Sequence, residues 1–114
     1  MPKKKIKAYL RKSKNPKKKY VVTINGLDGK KKTVHFGGAG YSDYTKHKDK
    51  ERMKRYDKRH KPREDWSKKG IKKAGFWSKW ILWSKPSLKE AVKHTENKFN
   101  IKIVRGKPPK NESD

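Results

Sequence analysis

The sequence predicts an α+β fold: a small domain with an N-terminal β-hairpin and two to three short helices, preceded by a disordered or partner-held basic arm. Three observations carry this. Apolar residues alternate with period two on either side of a glycine-containing centre between residues 20 and 36, and recur with period three to four after Asp49 and after Ser87. Residues 1–19 are dense in lysine and arginine and contain no acid. Hydrophobic residues make up 29% of the 114-residue chain and the net charge is +25, so burial can support one modest domain at most.

The arm, residues 1–19, holds Lys3, Lys4, Lys5, Lys7, Arg11, Lys12, Lys14, Lys17, Lys18 and Lys19. Like-charge repulsion and the scarcity of apolar residues leave it without a core of its own, to be ordered where something anionic holds it. The domain proper is expected over residues 20–104. In YVVTI, Tyr20, Val22 and Ile24 share one strand face, and in KTVHF, Val34 and Phe36 lie across from them. Asn25-Gly26-Leu27-Asp28-Gly29 between the two runs supplies hairpin turn chemistry. Gly37, Gly38 and Gly40 break the second strand.

Asp49 is placed to cap a helix whose narrow apolar seam is Met53, Tyr56 and His60, and Pro62 stops it by residue 61. The other faces carry Lys50, Arg52, Lys54, Arg55, Lys58 and Arg59. A second helix is predicted through AGFWSKWILWSKP, with Phe76, Trp80 and Trp83 on one side and Trp77 and Ile81 on the adjacent side; Pro86 ends it. Ser87-Leu88-Lys89-Glu90 is a capping box opening a third helix with a Leu88, Ala91, Val92, Thr95, Phe99 stripe. A last short strand over residues 101–104 is expected to extend the hairpin edge, before a polar tail at 105–114.

The composition narrows the chemistry. With 36 Lys and Arg against 11 Asp and Glu, the field attracts polyanions. The absence of cysteine excludes disulfides, thiolate metal sites and cysteine nucleophiles. The longest apolar run, residues 80–83, is far short of the roughly 20 residues that span a bilayer, and the basic start lacks a signal-peptide core. His35, His47, His60 and His94 are scattered without the i,i+4 spacing of a helical metal site. Asp43, Asp49, Glu51, Asp57, Glu64 and Asp65 could bind Mg²⁺ in a nuclease, but among so many cations they read as caps and salt-bridge partners. Neither catalysis nor a metal or cofactor is expected.

The aromatic residues divide two ways. Burying one tryptophan is worth on the order of 4–6 kcal/mol from roughly 150–250 Å², which argues for a core over the hairpin. A domain this small cannot readily enclose Trp66, Phe76, Trp77, Trp80 and Trp83 together with Tyr41, Tyr44 and Tyr56, so some rings should stay at the surface and anchor a partner.

Two blocks, GYSDYTKHKDKERMKRYDKRHKPREDW at residues 40–66 and GIKKAGFWSKWILWSKPSLKEAV at 70–92, resemble a family of small basic proteins of nucleocytoplasmic large DNA viruses. The pattern is carried by Tyr41, Ser42, Asp43, Tyr44, His47, Asp49, Arg52, Arg55, Tyr56, Arg59, His60, Asp65 and Trp66, then by Gly75, Phe76, Trp77, Trp80, Trp83 and Pro86. The resemblance implies a viral protein and assigns no activity. It suits a minor capsid component of the virion that anchors to neighbouring capsid proteins through aromatics and to anionic surface through its arm. The alternative is a sequence-independent DNA-binding or genome-condensing protein. Either would act in the virion, or in the cytoplasm or nucleus of the infected cell during assembly. The anion-binding residues are expected to be the ten arm cations with Arg52, Arg55 and Arg59.

Overall fold

The lysine-rich N-terminus is a structural strand. In the computed structural model, which describes residues 6–25 and 31–108, Lys7–Lys12 forms β1, Lys18–Asn25 β2 and Lys31–Gly38 β3. They are followed by helices α1 (Tyr44–His47), α2 (Lys50–His60), α3 (Ala74–Trp77) and α4 (Leu88–Phe99), then by strand β4 (Lys102–Arg105). The sheet order is β3-β2-β1-β4, so β1 is interior, antiparallel to β2 and parallel to β4. The α+β class holds. The coreless arm does not, because Ala8 and Leu10 are fully buried and join the core. Lys7 and Lys12 are exposed at the strand ends, where their charge does not oppose burial of the residues between them. Lys3, Lys4 and Lys5 lie outside the described residues, as do Gly26, Leu27, Asp28, Gly29 and the tail from residue 109.

A tight turn joins β1 to β2. Asn15 Oδ1 accepts from Lys17 N at 3.0 Å and the Asn15 carbonyl accepts from Lys18 N at 3.0 Å, the local bonding expected of an Asn-Pro turn. β2 and β3 pair in the register the alternation predicts, with Tyr20 opposite Phe36 and Val22 opposite Val34. The final strand pairs with β1 rather than with the hairpin, since β1 occupies the hairpin edge that the sequence left open.

One sheet face, built from Ala8, Leu10, Val22, Ile24, Val34, Phe36 and Ile103, packs against Phe76, Trp77, Ile81 and Leu82. α4 closes the same side through Ala91 and Thr95, both fully buried, with Leu88, Val92 and Phe99 partly buried. Caps fall where the sequence places them: Asp49 accepts from Glu51 N and Arg52 N, and Ser87 Oγ accepts from Glu90 N.

The aromatic helix differs from a plain α-helix. α3 continues directly into a π-helical turn, Ser78–Leu82, and the wider turn alters the angular spacing of the residues that follow. Phe76, Trp77, Ile81 and Leu82 therefore form the buried side, while Trp80 and Trp83 are half-buried and face different neighbours. Trp80 packs edge-on to Phe99 of α4, whereas Trp83 stacks on Tyr56 of α2. This replaces the predicted grouping of Phe76 with Trp80 and Trp83. Gly37 allows the close approach of sheet and π turn: its φ is +79°, and a Cβ there would lie 2.7 Å from Leu82 Cδ1.

Candidate functional site

The basic residues sort by where the fold puts them. On α2, Lys50, Arg52, Lys54, Arg55, Lys58 and Arg59 are exposed, while Tyr56 is buried. Among the expected arm cations, Lys7, Lys12, Lys14, Lys17 and Lys18 are exposed. Arg11 turns inward: its guanidinium donates to Tyr9 O at 3.0 Å and to Thr23 Oγ1 at 3.1 Å. Lys19 is tied to Asp43 at 2.6 Å. The expected anion-binding set is thus divided between structural cations and surface cations.

Several acids are bonded within the fold, while Asp49, Glu51, Asp65 and Glu90 are exposed. Asp43 is buried; it caps α1 through Thr45 N at 3.0 Å and also accepts from Thr45 Oγ1 and Lys19. Asp57 holds the buried Lys79 ammonium at 2.8 Å. Glu64 accepts from Trp66 Nε1 at 2.9 Å and from His60 Nδ1 at 3.1 Å. Glu96 accepts from the backbone of Ile103. The Ser67 side chain and backbone bond Asp65 and hold its carboxyl below the usual carboxylate range. Asp43 and Asp57 are thus neutralised by lysines inside the fold, and the remaining carboxylates are too few to balance the exposed cations of a chain with 36 Lys and Arg against 11 Asp and Glu.

Surface cations converge at a cleft of about 430 Å³ between the end of the hairpin and α2. Lys18, Lys19, Gly37 and Gly38 line it from the sheet; Tyr41, Ser42 and Asp43 from the loop; Arg52, Tyr56, Arg59 and His60 from α2; and Gly75, Ser78 and Trp83 from the aromatic helix. Its base is rigid. Tyr56 lies between Trp83, at 4.3 Å between ring centroids and 6° between planes, and His60, at 4.2 Å and 23°. The Tyr56 hydroxyl donates to Ser78 Oγ at 3.2 Å. Burial pushes its pKa up to about 12, so it stays neutral and remains a donor. Among the described residues, neither the Arg52 nor the Arg59 guanidinium is hydrogen-bonded or ion-paired. At the rim, Tyr41 is 77% exposed, the exposed large hydrophobic among the described residues.

Behind the cleft, His47 Nδ1 accepts from Asp49 N at 2.9 Å, which leaves the proton on Nε2, buried and without a partner. Burial, then the charge of Arg52, lowers the His47 pKa. Among the described residues there is no cluster of three or more His, Asp or Glu able to hold a metal ion, and no helix long and apolar enough to cross a membrane.

The five aromatics offered as anchor or core are engaged internally. Phe76 and Trp77 are fully buried, and Trp77 Nε1 donates to Ile71 O at 2.6 Å. Trp80 Nε1 donates to Trp66 O at 2.9 Å, and Lys79 Nζ lies 5.0 Å from the Trp66 ring and 5.4 Å from the Trp80 ring. Trp66 is parallel to Tyr56 within 4°, and Trp83 lies against it. The ring that stays outside is Tyr41, one of the surplus aromatics. Its position between Gly40 and Ser42-Asp43, outside any periodic apolar run, is the signal that marks it.

Residues 8–60 match the model of a family of unknown function (DUF5754). No curated protein and no solved structure matches the chain. The matched stretch begins on β1 and ends with α2, so it takes in the sheet wall, the loop and the α2 wall of the cleft but not the aromatic helix.

Proposed function

We propose that this is a non-enzymatic basic protein that binds nucleic acid through its phosphates, acting within the particle or assembly site of a large DNA virus, as the sequence resemblance implies. The observation that carries the binding role is the balance of charge at the surface: the exposed cations of α2 and of the β1–β2 turn outnumber the exposed acids Asp49, Glu51, Asp65 and Glu90, while Asp43 and Asp57 are paired with Lys19 and Lys79. Such a surface attracts a polyanion without regard to base sequence. Of the two roles the sequence left open, capsid anchoring ranked first because it explained the tryptophans. Those rings pack against one another and against Lys79 and Tyr56, so their density is explained by folding, and phosphate contact becomes the leading role.

The test is a titration of labelled duplex DNA with the full chain from 50 to 200 mM salt. About four to six phosphate contacts give a log–log slope of roughly −4 to −5 and an affinity loss of roughly 250- to 1000-fold. Scrambling the DNA sequence should leave the slope unchanged. Affinity that does not move with salt, or no binding at 50 mM, overturns the reading. Recovery of the protein from emptied, salt-washed capsid shells would restore the capsid role.

A further inference from the structure

We infer that the cleft beside α2 is a binding site for an unpaired nucleotide of a single strand, its phosphates held by Arg52 and Arg59 and its base stacked on Tyr41. This rests on the nucleic-acid reading above and adds to it a strand preference that charge alone does not give. Arg52 and Arg59 are seven residues apart, two turns of α2, which sets them about 10.5 Å apart along the helix axis on one side of it. Both line the cleft, opposite Lys18. Within it, Asp43 is paired with Lys19, and the Glu64 carboxylate is turned to Trp66 and His60, so Lys18, Arg52 and Arg59 leave the cleft with a net positive charge.

An exposed tyrosine by itself signifies little. Tyr41 differs by its setting. The ring is packed over the Gly38 backbone, where a Cβ would lie 2.8 Å from Tyr41 Cδ2, and it stands at the mouth of a cationic recess of about 430 Å³. An exposed π-face next to arginines is the pairing that single-strand binders use, because every unstacked base presents a face to stack. In a duplex the bases are already stacked on one another and offer no such face. The recess is also of the size that encloses a small ligand rather than one that lies flat on a helix.

The experiment compares an oligothymidine with a duplex of equal phosphate number, using the full chain and the variants Tyr41→Ala, Tyr41→Phe and Arg52→Gln/Arg59→Gln. Tyr41→Ala should weaken the single strand about 5- to 150-fold, the range for loss of one stacking ring, and change duplex affinity less than about twofold. Tyr41→Phe keeps the ring and should bind as the parent does. The double arginine variant should weaken the single strand and reduce its salt slope by about 1.4, two contacts at about 0.7 each. Equal effects of Tyr41→Ala on both DNAs, or none on either, overturn the cleft assignment while leaving general phosphate binding intact. Failure of the parent protein to bind either DNA overturns both. Because Tyr41 is 77% exposed, its substitution does not endanger the fold, and circular dichroism of each variant verifies this.

Discussion

Replacing Leu10 by alanine tests the interior position of β1. Leu10 is 0% exposed and packs in the core cluster with Val22, Phe36 and Trp77. The substitution removes three carbons. At about 0.8 kcal/mol each, transfer alone costs about 2.4 kcal/mol, and a residual cavity takes the total to about 2.5–5 kcal/mol. With a urea dependence of about 1–3 kcal/mol per molar, the midpoint should fall by roughly 1–5 M. Equilibrium urea unfolding followed by tryptophan fluorescence reads this directly, with Lys12→Ala, at an exposed strand end, as a control expected to move less than about 0.5 kcal/mol. If residues 1–19 were a coreless arm, Leu10→Ala would behave like the control. A change under about 0.5 kcal/mol would refute the strand assignment and the sheet order built on it.

Further outcomes follow from the buried charges and the cleft. Asp57→Ala leaves the Lys79 ammonium buried at 8% exposure without its carboxylate; because Asp57 is itself partly exposed, the loss should be about 2–4 kcal/mol, below the full cost of breaking a buried pair. Asp57→Ala/Lys79→Met should recover part of that loss, and urea midpoints of the two variants decide it. The pKa values of His47 and His94 are lowered below 6.5, chiefly by burial, so the unfolded chain binds more protons than the folded one as pH drops past 6.5. Their contribution to stability is therefore full above 6.5 and lost as pH falls through the lowered folded values. Melting temperatures at pH 7.5 and 5.5 should show a fall that His47→Gln/His94→Gln reduces. Gly75→Ala would place a Cβ 2.8 Å from Glu64 Cδ. It should displace that carboxylate from His60 and Trp66, costing about 1–3 kcal/mol and shifting the tryptophan emission.

The hairpin was legible because Tyr20, Val22, Ile24, Val34 and Phe36 alternate without interruption, and the caps because Asp49 and Ser87 act on amides two or three residues away. β1 was not. Its apolar positions are few and lie among lysines whose stems can cover apolar surface while their ammonium groups reach water. One of its two partners is β4, which no local window contains. Asn15-Pro16 is the one local sign of a strand return. At the cleft, Arg52 and Arg59 could be read as one side of a basic helix, and Tyr56 as its seam. Their meeting with Lys18 and Tyr41 depends on the path of residues 39–43, which a glycine-bounded loop does not disclose. An unbroken 3.6-residue period does not place the tryptophans, because the stretch contains a π turn.

The parallel β1–β4 pair also sets an order of events during synthesis. β2 and β3 can form a hairpin as soon as residues 18–38 are made, and β1 can join them, but the outer edge of β1 has no partner until β4 emerges after every helix. Until then an open strand edge is exposed on a chain that carries most of its positive charge. Contacts spanning nearly the whole described chain slow folding, and open edges invite pairing between chains. Charge repulsion between nascent copies opposes that pairing, so the same lysines that disguise β1 in the sequence protect it before the sheet is complete.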